Sequence, residues 1–197
     1  MSAQTADVID LLAGVERGSR LDAIRQQRPA ARENAQKSWQ ALFEPAHPGT
    51  VTALERHAVA TFVAALHREA TPAEFYASAL VAIDGGVAAA VAAEAARGAG
   101  EGPYGQYPAG PLTAEDQPGP VHRVADESRA VLGPRLAAAL EHTHLLVFRP
   151  REASAAALQT LLDAGWSTSD IVTLSQLVAF LSFQIRVVAG LRALAAA

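Results

Sequence analysis

The side chains best suited to chemistry in this sequence are histidines, carboxylates, arginines and tyrosines, because the chain contains no cysteine. The absence of a thiol excludes disulfides, cysteine nucleophiles and thiolate metal sites. Histidine and carboxylate side chains can move protons at neutral pH when they line one dry cavity. The chemistry that these residue types favour is therefore general acid–base catalysis, and no cofactor is predicted.

The candidate catalytic residues lie close together in the sequence, around the end of one predicted helix and the start of the next. They are His57, His67, Glu69 and Tyr76. His57 and His67 are ten residues apart, which places them about 80° apart around a helix, so they do not form the i,i+4 pair that binds one metal. Each histidine has a structural alternative as a solvated or hydrogen-bonded side chain, and Glu69 has one as a helix N-terminal residue.

Three more polar residues, Glu55, Ser182 and Arg186, are candidates for binding a substrate. Ser182 and Arg186 fall on a single polar line along an otherwise apolar C-terminal helix. A guanidinium there needs acceptors, a ligand or an interface, and a structural ion pair is the alternative to substrate binding. Glu55 has a competing role, because it completes a helix capping box that begins at Thr52.

Other features give no metal or nucleotide site. On a helix, His142 and His144 would point about 200° apart, so we predict no metal site there. The glycines at positions 98, 100 and 102 are not followed by a phosphate-binding helix, which argues against a nucleotide cofactor. Tyr104 and Tyr107 lie in a Gly/Pro-rich connection, where a lid, a subunit contact or disorder is expected.

The elements that must position these residues are predicted to be helices, since the chain is 50% hydrophobic but only 6% aromatic and rich in alanine. Capping boxes at Thr52–Glu55 and Thr71–Glu74 are predicted to open two of them, the first running through Leu66. The second is expected to continue to about residue 97, with a break at Gly85-Gly86. Short helices are expected in the first 48 residues, starting after Ser19 and at Pro29, and others over 122–132, 134–147, 153–164 and from Ser167 onwards.

We expect one all-α domain over residues 1–197, made of an N-terminal helical arm (1–48), a core hairpin (50–97), a Gly/Pro-rich connection (98–120) and a second helical half (121–197). The final helix carries two apolar seams, which predict two packing partners. One of them is expected to be another subunit, contacted through Val187 and Leu191.

Charge and composition limit the partners. The net charge of −4 and the pI near 5.8 provide no basic footprint, so no nucleic-acid partner is predicted. The first residues lack the positive segment and the apolar run of a secretory signal, which predicts a cytoplasmic protein. The polar residues within 171–194 argue against a lipid-facing helix, so no membrane partner is predicted.

The C-terminal part carries the most specific pattern in the chain. A proline turn at Arg149–Ser154 precedes a short helix ending in Gly165, a small capping motif and the long helix DIVTLSQLVAFLSFQIRVVAGLRAL. This order resembles the peroxidase-related proteins of the carboxymuconolactone decarboxylase and alkylhydroperoxidase D-like superfamily. The residues that match are Gly165, Ser167, Asp170, Phe183 and Arg186.

The segment LERHAVATFVAALHREATPAEFYASAL resembles the core helical hairpin of that superfamily, in which Cys-x-x-Cys-x-x-x-His opens the second helix. In one register Glu69 and Pro72 stand at the cysteine positions and Tyr76 at the histidine position, with Glu55 and His57 at the two acidic positions. In a register shifted by two residues, the corresponding residues are His67, Ala70 and Glu74. Neither register restores a thiol.

The resemblance covers residues 50–97 and 140–197 and implies an alkylhydroperoxidase D-like helical bundle built from two related halves. Without the Cys-x-x-Cys motif, thiol peroxidase activity is not expected. The decarboxylase branch implies instead a cofactor-independent acid–base enzyme, decarboxylase- or lyase-like, that acts on a small organic metabolite. The alternatives are a non-catalytic homo-oligomeric scaffold or metabolite-binding module of the same fold, and a partner subunit for a thiol-containing homologue.

Overall fold

The computed structural model describes residues 7–196, and these residues form an all-α structure, which confirms the predicted fold class. Two short 3-10 turns, Pro111–Glu115 and Pro150–Glu152, lie between helices. The α-helices are α1 (Val8–Ala13), α2 (Arg20–Gln26), α3 (Pro29–Phe43), α4 (Ala53–Leu66), α5 (Ala70–Ile83), α6 (Gly85–Arg97), α7 (Asp126–Phe148), α8 (Ala155–Asp163) and α9 (Thr168–Ala196).

Helix α4 is the central element, and it packs against α3, α5, α6, α7 and α9. Its residues Ala58, Phe62 and Val63 are completely buried. Small residues on α4 and on α7 allow the helix backbones to approach closely, while Phe62 and Trp166 fill the larger spaces. The end of α4, which carries His67, is therefore held by contacts on several sides.

Several helix starts agree with the sequence-based predictions. Ser19 caps α2 and Pro29 opens α3. The Thr52–Glu55 capping box is present at the start of α4, with both of its reciprocal hydrogen bonds. Ser167 and Asp170 form a similar reciprocal pair at the start of α9. Local polar residues therefore fix where these helices begin.

Two predicted helix starts were wrong. Helix α5 begins at Ala70 with Glu69 as its N-cap, so Thr71–Glu74 lies inside the first turn and forms no capping box. Helix α7 begins at Asp126 rather than at 122, because residues 122–125 continue the connecting chain and bury two of their side chains, His122 and Val124. In both places tertiary packing overrides the local pattern.

Among residues 7–196, α9 alone is as long and as apolar as a membrane-spanning helix, a property that core helices of soluble proteins share. Its apolar residues have partners within the chain. Leu181 and Ile185 lie in the main core, and Leu191, 7% exposed, packs in a second cluster with α1. The second seam of α9 is thus covered by the N-terminal arm at Leu191, so this residue offers no free surface to another subunit.

The connection between α6 and α7 follows one side of α7. The backbone N–H of Tyr104 donates to the carbonyl of Phe148 over 2.7 Å, and Gly105 and Gln117 exchange backbone hydrogen bonds. Gly119 lies so close to Tyr104 that a Cβ atom at this position would be 2.6 Å from the Cβ of Tyr104. Glycine is therefore required at position 119, where the later part of the connection passes close to the earlier part.

Candidate functional site

A groove of about 1070 Å³ lies beside the C-terminal end of α4. It is bounded by the end of α4, by residues 100–103 of the connection, by the end of α7 and by α9. His67, Ser182 and Arg186, which the sequence offered as candidates, all line this groove. Helix α4 of the first half and helix α9 of the second half therefore bring these three side chains together. Both helices were predicted from the sequence.

His67 presents a free ring nitrogen. Its Nδ1 lies 2.8 Å from the carbonyl of Val63, and because a carbonyl only accepts, Nδ1 carries the hydrogen and the neutral ring leaves Nε2 as a base. Burial lowers the pKa of His67, and the positive charge of Arg186 lowers it further, against the opposing effects of the Val63 carbonyl and Glu69. His67 is thus neutral at pH 7 and able to accept a proton.

Arg186 supplies positive charge in the same groove. Within residues 7–196 its guanidinium forms no ion pair, and the side chain is exposed on α9. The structural ion pair that was the alternative for Arg186 is absent from this described part of the chain. An anion that enters the groove meets this guanidinium beside a neutral imidazole, with the Ser182 hydroxyl one helical turn before Arg186.

The other candidate residues lie elsewhere. Tyr76 is buried in the core, where its hydroxyl donates to Gln184 Oε1 over 2.6 Å, and burial raises its pKa well above its ordinary value. The Nδ1 of His57 lies 2.8 Å from the carbonyl of Ala53, and its ring meets Phe43 edge-on. Neither residue lines the groove, and of the predicted catalytic set only His67 does.

Glu55 and Glu69 are also outside the groove. Glu55 completes the capping box of α4 and accepts a hydrogen bond from Nε of Arg135 over 2.7 Å. Arg135 in turn contacts Asp170, and its Cζ atom lies 4.2 Å from the centroid of the Trp166 ring. Glu55 therefore ties the start of α4 to α7 and α9, while Glu69 caps α5 without a side-chain hydrogen bond.

A second group of titratable residues is buried outside the groove, and one of them, His144, packs against Phe148 of the groove lining. Glu94 on α6 is 0% exposed, His144 on α7 is 1% exposed, and His122 from the connection lies between them. The two imidazole rings stack with centroids 5.0 Å apart. We call Glu94, His122 and His144 the buried histidine cluster.

The cluster holds the two ends of the connection. Nε2 of His144 donates to the carbonyl of Gly98 over 3.0 Å, which leaves its Nδ1 unprotonated and without a partner. Glu94 accepts from the backbone N–H of Ala125 over 3.2 Å. His122 Nε2 and Glu94 Oε2 are 3.1 Å apart, which is close enough for an ion pair when the imidazole is protonated.

Burial determines the protonation of the cluster. It lowers the pKa of His144 to about 4, with smaller contributions from His122 and Arg149 that act in the same direction. Burial also lowers the pKa of His122 despite the neighbouring carboxylate. For Glu94 burial alone would raise the pKa, but hydrogen bonds from Ser128 and Ala125 outweigh it and keep the carboxylate charged.

The sequence contained signals for residues that were missed. Glu94 follows Val87 and Val91 at helical spacing, so it falls on the buried face of α6 and would need partners there. Arg68 and Glu101 also line the groove and form an ion pair of 3.1 Å, which no local pattern indicated.

A smaller cavity of about 530 Å³ lies between α3, the loop before α4 and α9. Each of the three guanidinium nitrogens of its buried cation, Arg56, donates to a backbone carbonyl, that of Val51, Leu42 or Pro48. In residues 7–196, no group of three or more His, Cys, Asp or Glu side chains is arranged to hold a metal ion. The large groove therefore remains the best candidate site.

Comparisons with protein-family models, with curated proteins and with solved structures found no significant match to this chain. What the fold and the site define is an all-α protein with an open groove that carries one neutral imidazole and positively charged guanidinium groups.

Proposed function

We propose that this protein is a cofactor-independent acid–base enzyme, decarboxylase- or lyase-like, that acts on a small organic acid in the groove. The observation that carries the proposal is that His67, with its free Nε2, lines the same groove as Arg186, which forms no ion pair within residues 7–196. A neutral imidazole can take a proton from carbon. A guanidinium can hold the substrate anion and stabilise the negative charge that develops on its oxygen.

The walls of the groove indicate the body of the substrate. Leu146, Val147, Phe148, Val178 and Phe183 supply apolar surface on two sides. Binding sites for small organic molecules combine such walls with few polar groups. An organic acid with an alkyl or aryl body fits this combination better than a sugar or a nucleotide does.

The superfamily resemblance supports the same proposal. The groove is lined by residues of both segments that resemble the carboxymuconolactone decarboxylase and alkylhydroperoxidase D-like superfamily, with His67 in the first segment and Arg186 in the second. We extend the proposal to its bundle of two related halves, to assembly as a homo-oligomer and to a cytoplasmic location. Without cysteine, the thiol chemistry of the peroxidase branch has no counterpart here.

A non-catalytic metabolite-binding module is the second candidate. The observation that favours it is that Tyr76 and Glu55 are engaged in structural hydrogen bonds. Among residues 7–196, His67 is then the one histidine of the groove lining. In that case the groove would bind an anion through Arg186 without turning it over.

Proton transfer can be tested without knowledge of the net reaction. Small 2-oxo acids and lactone carboxylates are incubated with the protein in D₂O, and NMR follows the exchange of carbon-bound hydrogen against a protein-free blank. We expect the wild type to accelerate exchange for at least one compound. His67→Gln should lose about 100-fold, while the matched variant His57→Gln should keep the wild-type rate.

Two results would count against the enzyme. Equal exchange rates in the wild type and His67→Gln would remove His67 from the mechanism. Binding of these compounds by the wild type without any exchange would favour the metabolite-binding module.

A further inference from the structure

Arg68, directly after His67, has an unusual backbone. Its φ of 58° makes it the one residue other than glycine with a positive φ among residues 7–196. Glycine or asparagine is the ordinary choice at the left-handed position that ends a helix, because a Cβ atom is crowded there. An arginine that keeps this conformation beside a candidate catalytic histidine is best explained by what its side chain does.

The partner of Arg68 is Glu101, at 3.1 Å between Nη1 and Oε1. Glu101 lies between two glycines of the connection that pass over Phe148. A Cβ atom at Gly102 would be 3.0 Å from the Phe148 ring, and one at Gly100 would be 3.7 Å from it. This close passage brings the carboxylate of Glu101 to the rim of the groove, where it is the acidic residue of the lining.

The pair is too exposed to hold the fold together. The Glu101 side chain is 86% exposed and that of Arg68 is 54% exposed. Exposed ion pairs of this kind change an equilibrium by no more than about fivefold. A carboxylate from solution can therefore replace that of Glu101 on the same guanidinium.

We propose that Arg68 is a ligand-binding residue of the groove and that Glu101 is a tethered competitor that occupies it when the groove is empty. The ligand is an organic acid whose carboxylate takes the place of the Glu101 carboxylate, with its apolar body against Phe148. This inference rests on the proposed function for the location of the ligand. It adds Arg68 as the group that binds the carboxylate of the ligand, and it adds the ion pair between Arg68 and Glu101 as a contact that opposes binding.

Benzoate serves as the probe, and its dissociation constant is measured by isothermal titration calorimetry on the full chain. Glu101→Gln removes the competitor and should tighten binding by up to about fivefold. Arg68→Gln should weaken binding. In the double variant, Glu101→Gln should bring no gain, because the competed guanidinium is gone. Glu115→Gln is the matched control, since Glu115 is an exposed acid of the same connection outside the groove.

The double variant separates the specific contact between Glu101 and Arg68 from the general electrostatic effect of a nearby carboxylate. An equal gain from Glu101→Gln with and without Arg68 would overturn the competitor, and so would the same gain from Glu115→Gln. No effect of Glu101→Gln or Arg68→Gln, together with loss of binding in Arg186→Gln, would overturn this inference and leave the proposed function intact. Absence of benzoate binding, or binding that Arg186→Gln leaves unchanged, would contradict both.

Discussion

The groove and the buried histidine cluster contain similar residue types. They differ in solvent access and in how many of their polar groups have partners within the protein. In the groove, His67 and Arg186 face an open cavity with few internal partners. In the cluster, Glu94 and His144 are enclosed and hold the connection in place. Residue type therefore identifies candidates for chemistry, while solvent access determines which of them a ligand can reach.

The largest expected effect concerns the stability of the cluster. Glu94→Ala removes a buried carboxylate from Ala125 and His122, and we expect it to lower the free energy of unfolding by about 3 kcal/mol. Glu74→Ala, at an exposed position on α5, should change it by less than about 0.5 kcal/mol. Urea unfolding measures both. A stable Glu94→Ala protein that no longer binds benzoate would move the functional site into the cluster.

The cluster also predicts how stability depends on pH. The pKa of His144 is about 4 in the folded protein and near 6.5 in the unfolded chain. The unfolded chain therefore takes up protons first as the pH falls. We expect the free energy of unfolding to decrease from pH 6.5 toward pH 4 and to have its full value above that range.

The matched variant is His144→Gln, whose amide can still donate to Gly98 but cannot be protonated. The pKa values of His67, His122 and His142 are lowered too. The variant should therefore reduce the slope of the unfolding free energy against pH rather than abolish it. Unfolding measured at several pH values gives the slope for each protein. Identical slopes would show that His144 is not a buried neutral histidine.

The groove predicts a loss of binding without a loss of stability. Arg186→Gln removes an exposed guanidinium that has no ion pair within residues 7–196, and we expect benzoate binding to weaken about tenfold. Arg192→Gln, at an exposed position of the same helix outside the groove, should bind as the wild type does. Calorimetry and thermal unfolding report the two properties separately. A lower melting temperature in Arg186→Gln would assign the residue a structural role.

The smallest expected effect is at Tyr76, in the core. Tyr76→Phe removes the donor to Gln184 in the core, and we expect a decrease of about 1 kcal/mol in the free energy of unfolding. Since Tyr76 does not line the groove, deuterium exchange by the variant should equal that of the wild type. Loss of exchange at unchanged stability would restore Tyr76 to the mechanism.

The sequence predicted the elements better than it predicted the site. Helix starts at Ser19, Pro29 and Thr52 followed from local capping chemistry, which depends on residues a few positions apart. Thr71–Glu74 has the same local pattern, yet α5 begins earlier, at Ala70. Local patterns therefore indicated the helices, while the starts of α5 and α7 differed from those that the patterns predicted.

For the site, spacing placed Ser182 and Arg186 on one line of α9, and the structure has both in the groove. The pairing of Arg68 with Glu101 joins residues 33 positions apart and depends on the path of an irregular connection. The contact of Tyr76 with Gln184 spans 108 positions. No periodicity within one helix carries such information, so these partners required the three-dimensional structure.

The most direct test of the central claim, that the groove is the ligand site and the cluster is structural, is NMR mapping of benzoate binding on the full chain. We predict chemical-shift changes at His67, Ser182 and Arg186 that saturate together, with His122 and His144 unchanged. Shifts confined to the buried histidine cluster, or the absence of any saturable change in the groove, would contradict this assignment.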